Sequence, residues 1–182
     1  MGRGSAGQTC SATLMLAEVH EMALTEVSNV LWRERELLEM LLFKLEEEQL
    51  LLTAGRTRWL PHATREVEVV LEQIREAELL RATAVDAAAY ELGIAPAPSL
   101  RALADAAPQP WGDLLHAHRE AFLTLTQEIS TIAEANRDVL TVGQRAAHET
   151  LLGFTDSAPT YDPRGRATSG SAPRAHLVDE AL

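Results

Sequence analysis

Leu31, Leu38, Leu45 and Leu52 recur every seven positions within residues 31–60, and no proline interrupts them before Pro61. A leucine every seven residues returns to nearly the same side of an α-helix, so this stretch predicts a helix made to pack on other helices. The composition agrees: 46% of the residues are hydrophobic but only 4% aromatic, and Ala, Leu, Glu and Arg dominate the helical segments. These are long packed helices rather than a sheet, which makes the expected fold class all-α.

The 182 residues allow one domain and an appended tail. Residues 1–13 are small and polar and read as a disordered leader. From about Leu14 to Thr53 one apolar stripe runs through Leu16, Val19, Ala23, Val27, Leu31, Leu38, Leu41, Leu45 and Leu52, and Gly55 then stops the helix. At 1.5 Å per residue such a helix is about 60 Å long. A compact globule of this domain's size has a radius of gyration of only about 14 Å, so an elongated helical domain over residues 14–154 is expected.

A second helix is predicted to begin between Thr57, which offers an N-cap, and Pro61, which a first turn tolerates. It runs to Leu92 before Gly93, with a stripe of Leu60, Ala63, Val67, Val70, Ile74, Ala77, Leu80 and Ala88. The short connection folds the two helices back as an antiparallel hairpin. Four prolines between residues 93 and 110 surround a short segment capped by Ser99. The third long helix spans about 111–154, its seam passing through Leu115, His118, Phe122, Leu125, Ile129, Ile132, Asn136, Val139, Gly143 and Ala146. Residues 155–182 turn rich in Ser, Pro, Gly and Arg and read as a flexible tail.

Charge and motifs narrow the function. Acidic residues outnumber basic ones 27 to 16, a formal charge of −11 that repels a phosphate backbone, so nucleic acid is not an expected partner. Cys10 is the only cysteine and forms no internal disulfide, which fits an intracellular protein. The apolar run at residues 12–17 is too short for a signal-peptide core, and no stretch approaches the roughly 20 apolar residues that span a bilayer.

None of the six histidines has a glutamate three residues before it, as a di-iron bundle site requires, and Asp113 with His116 is the nearest approach. Phosphate loops, nucleophile elbows and Cys-x-x-Cys pairs are absent from the sequence, so no enzyme, metal or cofactor is expected. His118 reads as a hydrogen-bonded core or boundary histidine. Glu46, Glu47 and Glu48 cannot share one helical face and read as a solvated surface.

What remains is binding. A hairpin plus one long helix leaves a groove that suits a further amphipathic helix, a second copy of the chain, or nothing if three helices close the core. On the third helix, Asn136 interrupts an apolar seam. It either fixes register, meets a partner's backbone, or turns to the edge. Gly143 lowers helix stability by roughly 1 kcal/mol relative to Ala and permits another chain to come close, or marks a slight bend.

The order and spacing of several segments resemble the FlgN-type family of flagellar export chaperones, in the form found in GC-rich Gram-positive bacteria. They are Leu31-Trp32-Arg33-Glu34-Arg35-Glu36-Leu37-Leu38, Phe43-Lys44-Leu45-Glu46-Glu47-Glu48-Gln49, Gly55-Arg56-Thr57-Arg58-Trp59-Leu60 and Arg65-Glu66-Val67-Glu68, followed in the tail by Tyr161-Asp162 and Gly165. The resemblance covers about Val27 to Phe154. It implies a cytoplasmic chaperone of the flagellar type III export apparatus that binds the C-terminal segments of the hook-filament junction proteins and delivers them to the export gate, with the gate or its ATPase as further contacts.

Carried over by position, partner binding falls on Phe122, Leu125, Ile129, Ile132, Asn136, Val139, Leu140 and Gly143. Charged substitutions at Ile132 or Val139 are expected to abolish cargo binding without unfolding the helices. The chain departs from the family where many members carry a second asparagine followed by glycine, since Asn136 is followed here by Arg137-Asp138-Val139. Alternative readings are a structural coiled-coil adaptor that forms a homodimer, or a chaperone for another flagellar cargo such as flagellin.

Overall fold

The computed structural model describes the backbone of residues 5–156, 160–161 and 167–168, and the side chains of residues 18–153. The helices are α1 (Ser5–Thr53), α2 (Leu60–Glu91), α3 (Leu100–Ala106) and α4 (Trp111–Asp156), with one 3-10 turn at Thr57–Trp59 before α2. The fold is all-α. Among the described residues the one strand pairing is a two-residue antiparallel ladder in which Thr160 faces Thr168 and Tyr161 faces Ala167. The chain forms two compact units, Met1–Arg137 and Asp138–Leu182.

Local chemistry explains the boundaries. Gly55, with φ +63°, closes α1 as Arg56 N–H donates to Leu51 O (2.9 Å) and Gly55 N–H to Leu52 O (3.1 Å). Gly93 repeats the same closure on α2, with Ile94 N–H donating to Ala89 O at 3.0 Å. This pair of bonds satisfies terminal carbonyls that would otherwise be orphaned, and it needs a left-handed residue that glycine supplies without strain. Ser99 caps α3 by accepting from Ala102 N–H at 3.1 Å. Thr57 makes no such cap: the residue before α2 is Trp59, and Pro61 fills the first turn.

Helix α1 starts at Ser5, nearer the chain start than the expected position around Leu14. Residues 5–13 contain no proline, and elongating an existing helix adds one hydrogen bond per residue fixed. Most of the stretch read as a leader is therefore helical, while residues 1–4 lie outside the described residues. So does the tail, apart from the end of α4 and the short ladder.

In the first unit the core has two apolar layers. Leu24, Val27 and Leu31 of α1 meet Ala84 and Ala88 of α2, Leu103 and Ala104 of α3, and Leu115 of α4. Farther along, Leu37, Leu41 and Leu45 meet Val70, Ile74 and Ala77, with Ile129, Ile132 and Ala133 of α4 packed against them. Each fully buried leucine contributes about 1.5–3 kcal/mol.

Two details of the expected stripes change. Leu37 is buried more deeply than Leu38, because α1 is covered from two sides, by α2 and α4, and its buried arc is wider than a single heptad seam. Leu80 is 63% exposed, because the α2 stripe steps from Ala77 to Arg81 and Ala84, where Arg81 faces Glu34 of α1. Gly112 lets α3 and the start of α4 approach closely: a Cβ there would lie 3.0 Å from Ala104 O.

Candidate functional site

Polar groups separate the two apolar layers and finish the second one. Between them, buried Glu34 lies with Oε2 3.2 Å from Arg81 Nε, but no donor reaches Oε2 with hydrogen-bond geometry. The contact is electrostatic only. Burial pushes the Glu34 carboxyl above its usual range, Arg81 partly offsets this, and Glu78 adds repulsion.

At the same level His118 of α4 is 2% exposed and neither ring nitrogen has a hydrogen-bond partner. The hydrogen-bonded histidine expected from the sequence is instead an aromatic contact: its ring stands edge-on to Trp32 at 4.8 Å and lies 6.3 Å from Phe122. Arg35 covers the outer face of Trp32, 5.4 Å from the ring centroid. Desolvation, with Arg35 nearby, holds the imidazole below its ordinary pKa of 6.5, which favours the neutral ring that packs on aromatics.

Past the second layer, Asn136 of α4 is 3% exposed and donates through Nδ2 to Leu45 O (2.9 Å) and to Glu48 Oε2 (3.2 Å). Glu48 also accepts from Thr64 Oγ1 of α2 at 2.8 Å. One buried carboxylate thus ties three helices, which corrects the reading of Glu48 as solvated surface. Glu46 is exposed as expected, and Glu47 pairs with Lys44, whose ammonium also reaches Glu66 of α2, both at 2.7 Å. Glu47 and Glu66 raise the Lys44 pKa, and Lys44 lowers that of Glu66.

These contacts divide the eight residues carried over by position. Phe122 is half-buried against the first layer, Leu125 is half-buried, and Ile129 and Ile132 pack on the second layer. Asn136 is bonded inside the bundle. Val139, Leu140 and Gly143 are exposed, as is every described side chain from Arg137 to Gly153, and nothing lies within 4 Å of where a Gly143 Cβ would sit. Ile132 therefore takes part in the core, and a charge there would strike the fold itself, contrary to the expectation that it would spare the helices. Val142, also exposed, joins Val139 and Leu140; it lies off the seam and its sequence position alone gave no reason to choose it.

His116, the nearest approach to a metal motif, has Nε2 3.0 Å from Asp105 Oδ1 of α3 instead of a partner motif. Among the described residues no group of three or more His, Cys, Asp or Glu is placed to hold a metal ion, and no helix is long and apolar enough to cross a membrane. What α4 offers past Asn136 is exposed apolar side chains on a regular helix, Val139 with Val142 on one side and Leu140 on another.

A family model described as FlgN protein matches residues 22–169. No curated protein and no solved structure matches the chain.

Proposed function

Because the chain belongs to the FlgN family of flagellar export chaperones, we propose that its cargo is the C-terminal helical segments of the hook-filament junction proteins. It keeps them unassembled in the cytoplasm and delivers them to the export gate, with the gate or its ATPase as a second contact. Such segments are amphipathic, and an apolar helix face on an acidic protein masks them while the complex stays in solution. The observation that supports this reading is the change along α4 at Asn136. Before it Ile129, Ile132 and Ala133 pack on α1 and α2, and after it Val139, Leu140 and Val142 stand exposed.

We assign cargo contact to Val139, Leu140 and Gly143, and give Phe122, Leu125, Ile129, Ile132 and Asn136 the task of holding α4 in register. The test is calorimetric titration of the full chain with C-terminal segments of both junction proteins, with the end of flagellin as control. Saturable binding to the junction segments only is the expected result. Binding to flagellin alone would move the protein to another cargo. Binding to none, with a tight dimer in light scattering, would leave a helical adaptor.

A further inference from the structure

The turn joining α1 to α2 differs in charge from the rest of this acidic protein. No acidic residue occurs between Glu48 and Glu66, while Arg56, Arg58, His62 and Arg65 all fall there. Elsewhere on α1 and α2, Arg33, Arg35, Lys44, Arg75 and Arg81 each have a carboxylate within 4.0 Å. Among the described residues Arg56, Arg58 and Arg65 have none, and all three are exposed.

The same turn shows apolar surface. Trp59 is 49% and Leu50 68% exposed. Together with Leu51, His62, Ala63 and the paired Lys44, Glu47 and Glu66 they line an open concavity of about 550 Å³, in which both carboxylates are already engaged by the Lys44 ammonium. The Arg58 guanidinium sits 5.0 Å from the Trp59 ring centroid. The backbone is fixed by the closure at Gly55 and by the 3-10 turn, in which Trp59 N–H donates to Arg56 O at 3.0 Å. Little backbone ordering is left to lose on binding, and the cost falls on the exposed side chains.

We propose that this turn is a second docking surface, for a glutamate- or aspartate-rich protein segment that carries an apolar anchor. Free guanidinium groups accept carboxylates in a two-pronged geometry that ammonium groups lack. Trp and Arg are both among the residue types enriched where binding energy concentrates in protein interfaces. The overall charge of −11 does not prevent this, because its field fades over roughly 8–10 Å in physiological salt, the three arginines are exposed and without a carboxylate within 4.0 Å, and the nearby Glu47 and Glu66 are engaged by Lys44. That same charge works against a second copy of the chain and against an anionic membrane, whose basic ligands usually bring about four to eight clustered lysines or arginines.

The test uses the full chain and a fluorescein-labelled synthetic helix with Glu at its polar positions and Leu along one face, read by anisotropy. The same helix with Gln in place of Glu serves as control. The expected result is binding to the Glu helix that weakens with salt. It should fall roughly tenfold or more in R56E/R58E/R65E, and in the milder R56Q/R58Q/R65Q if the first variant loses its helical circular dichroism. Trp59→Ala should weaken it as well.

A second triple reversal, R33E/R75E/R101E, changes the net charge equally but leaves the turn intact, and should bind as the unmodified chain does. Equal loss in both triple variants would reduce the effect to net charge and overturn the proposal. So would equal binding of the Gln helix, concentration-dependent self-association lost in R56E/R58E/R65E, or flotation with phosphatidylserine vesicles without binding to the Glu helix.

Discussion

Asn136 of α4 donates to the carboxylate of Glu48 of α1, 88 positions earlier in the chain, and both side chains are buried. The same amide nitrogen also bonds the Leu45 carbonyl, so the axial position of α4 on α1 is set by two hydrogen bonds at one point. Removing the amide by Asn136→Ala leaves the Leu45 side of that contact without its side-chain donor and the Glu48 carboxylate with Thr64 as its remaining partner. The expected loss is about 2–3 kcal/mol, read as a lower urea midpoint. A double-mutant cycle with Glu48→Gln should give a coupling of about 0.5–3 kcal/mol; additivity of the two changes would mean that the bond does not hold the helices together.

The division of α4 at Asn136 makes two substitutions of similar chemistry behave differently. Ile132→Glu places a charge against the second apolar layer and should cost about 3 kcal/mol or more. Val139→Glu falls on an exposed position and should change stability by no more than about 0.5 kcal/mol while weakening cargo binding. Thermal melts with titrations of a junction-protein segment separate the two effects. A Val139→Glu variant that binds normally would move cargo contact elsewhere.

His118 and Glu34 respond to pH in opposite directions. The pKa of His118 is lowered in the folded state, so the unfolded chain binds the proton more readily. Its contribution is present above pH 6.5 and is lost as pH falls through the lowered folded value. His118→Leu should therefore flatten the fall in melting temperature on that acid side. The pKa of Glu34 is raised, so its contribution is full below pH 4.5 and is lost as pH rises through the folded value. Glu34→Gln should remove that loss, since it keeps the shape without a buried charge. Melting temperatures of both variants across pH 4 to 8 (roughly the span in which these groups titrate) would show two changes of opposite sign; parallel curves would assign the pH dependence to other groups.

Gly112 has a packing role that a melt can measure. A methyl group at this position would lie 3.0 Å from Ala104 O and 3.3 Å from Ala107 O, both backbone atoms with little freedom to retreat. Gly112→Ala should thus destabilise by about 1–3 kcal/mol, although alanine is the better helix former in isolation by roughly 1 kcal/mol. Gly143→Ala, with nothing within 4 Å, should follow helix propensity and stabilise. If both alanine variants were stabilised, the close approach of α3 and α4 would not be a constraint.

Much of this architecture was legible in the residues. Spacing of apolar side chains, Gly55, Gly93, Ser99 and the prolines of residues 93–110 placed the helices, because period and capping are local properties read within a few turns. Asn136 was visible as a break in the α4 seam, though not its partner. His118 was visible as a seam residue, but the aromatic box around it was not, since Trp32 and Arg35 reach it from another helix. The excess of free arginines at the α1–α2 turn was hidden for a related reason: an arginine's pairing depends on which carboxylates the fold brings within reach.

By itself, then, the sequence determined that the chain is helical and where its long helices lie, because backbone preference and amphipathic period belong to each segment alone. Only the tertiary structure decided which apolar residues of α4 are used up inside the bundle and which stay exposed. That depends on how far α4 runs alongside α1 and α2, an axial offset fixed jointly by the packing of Ile129 and Ile132 and by the Asn136–Glu48–Thr64 contact, which no single segment encodes.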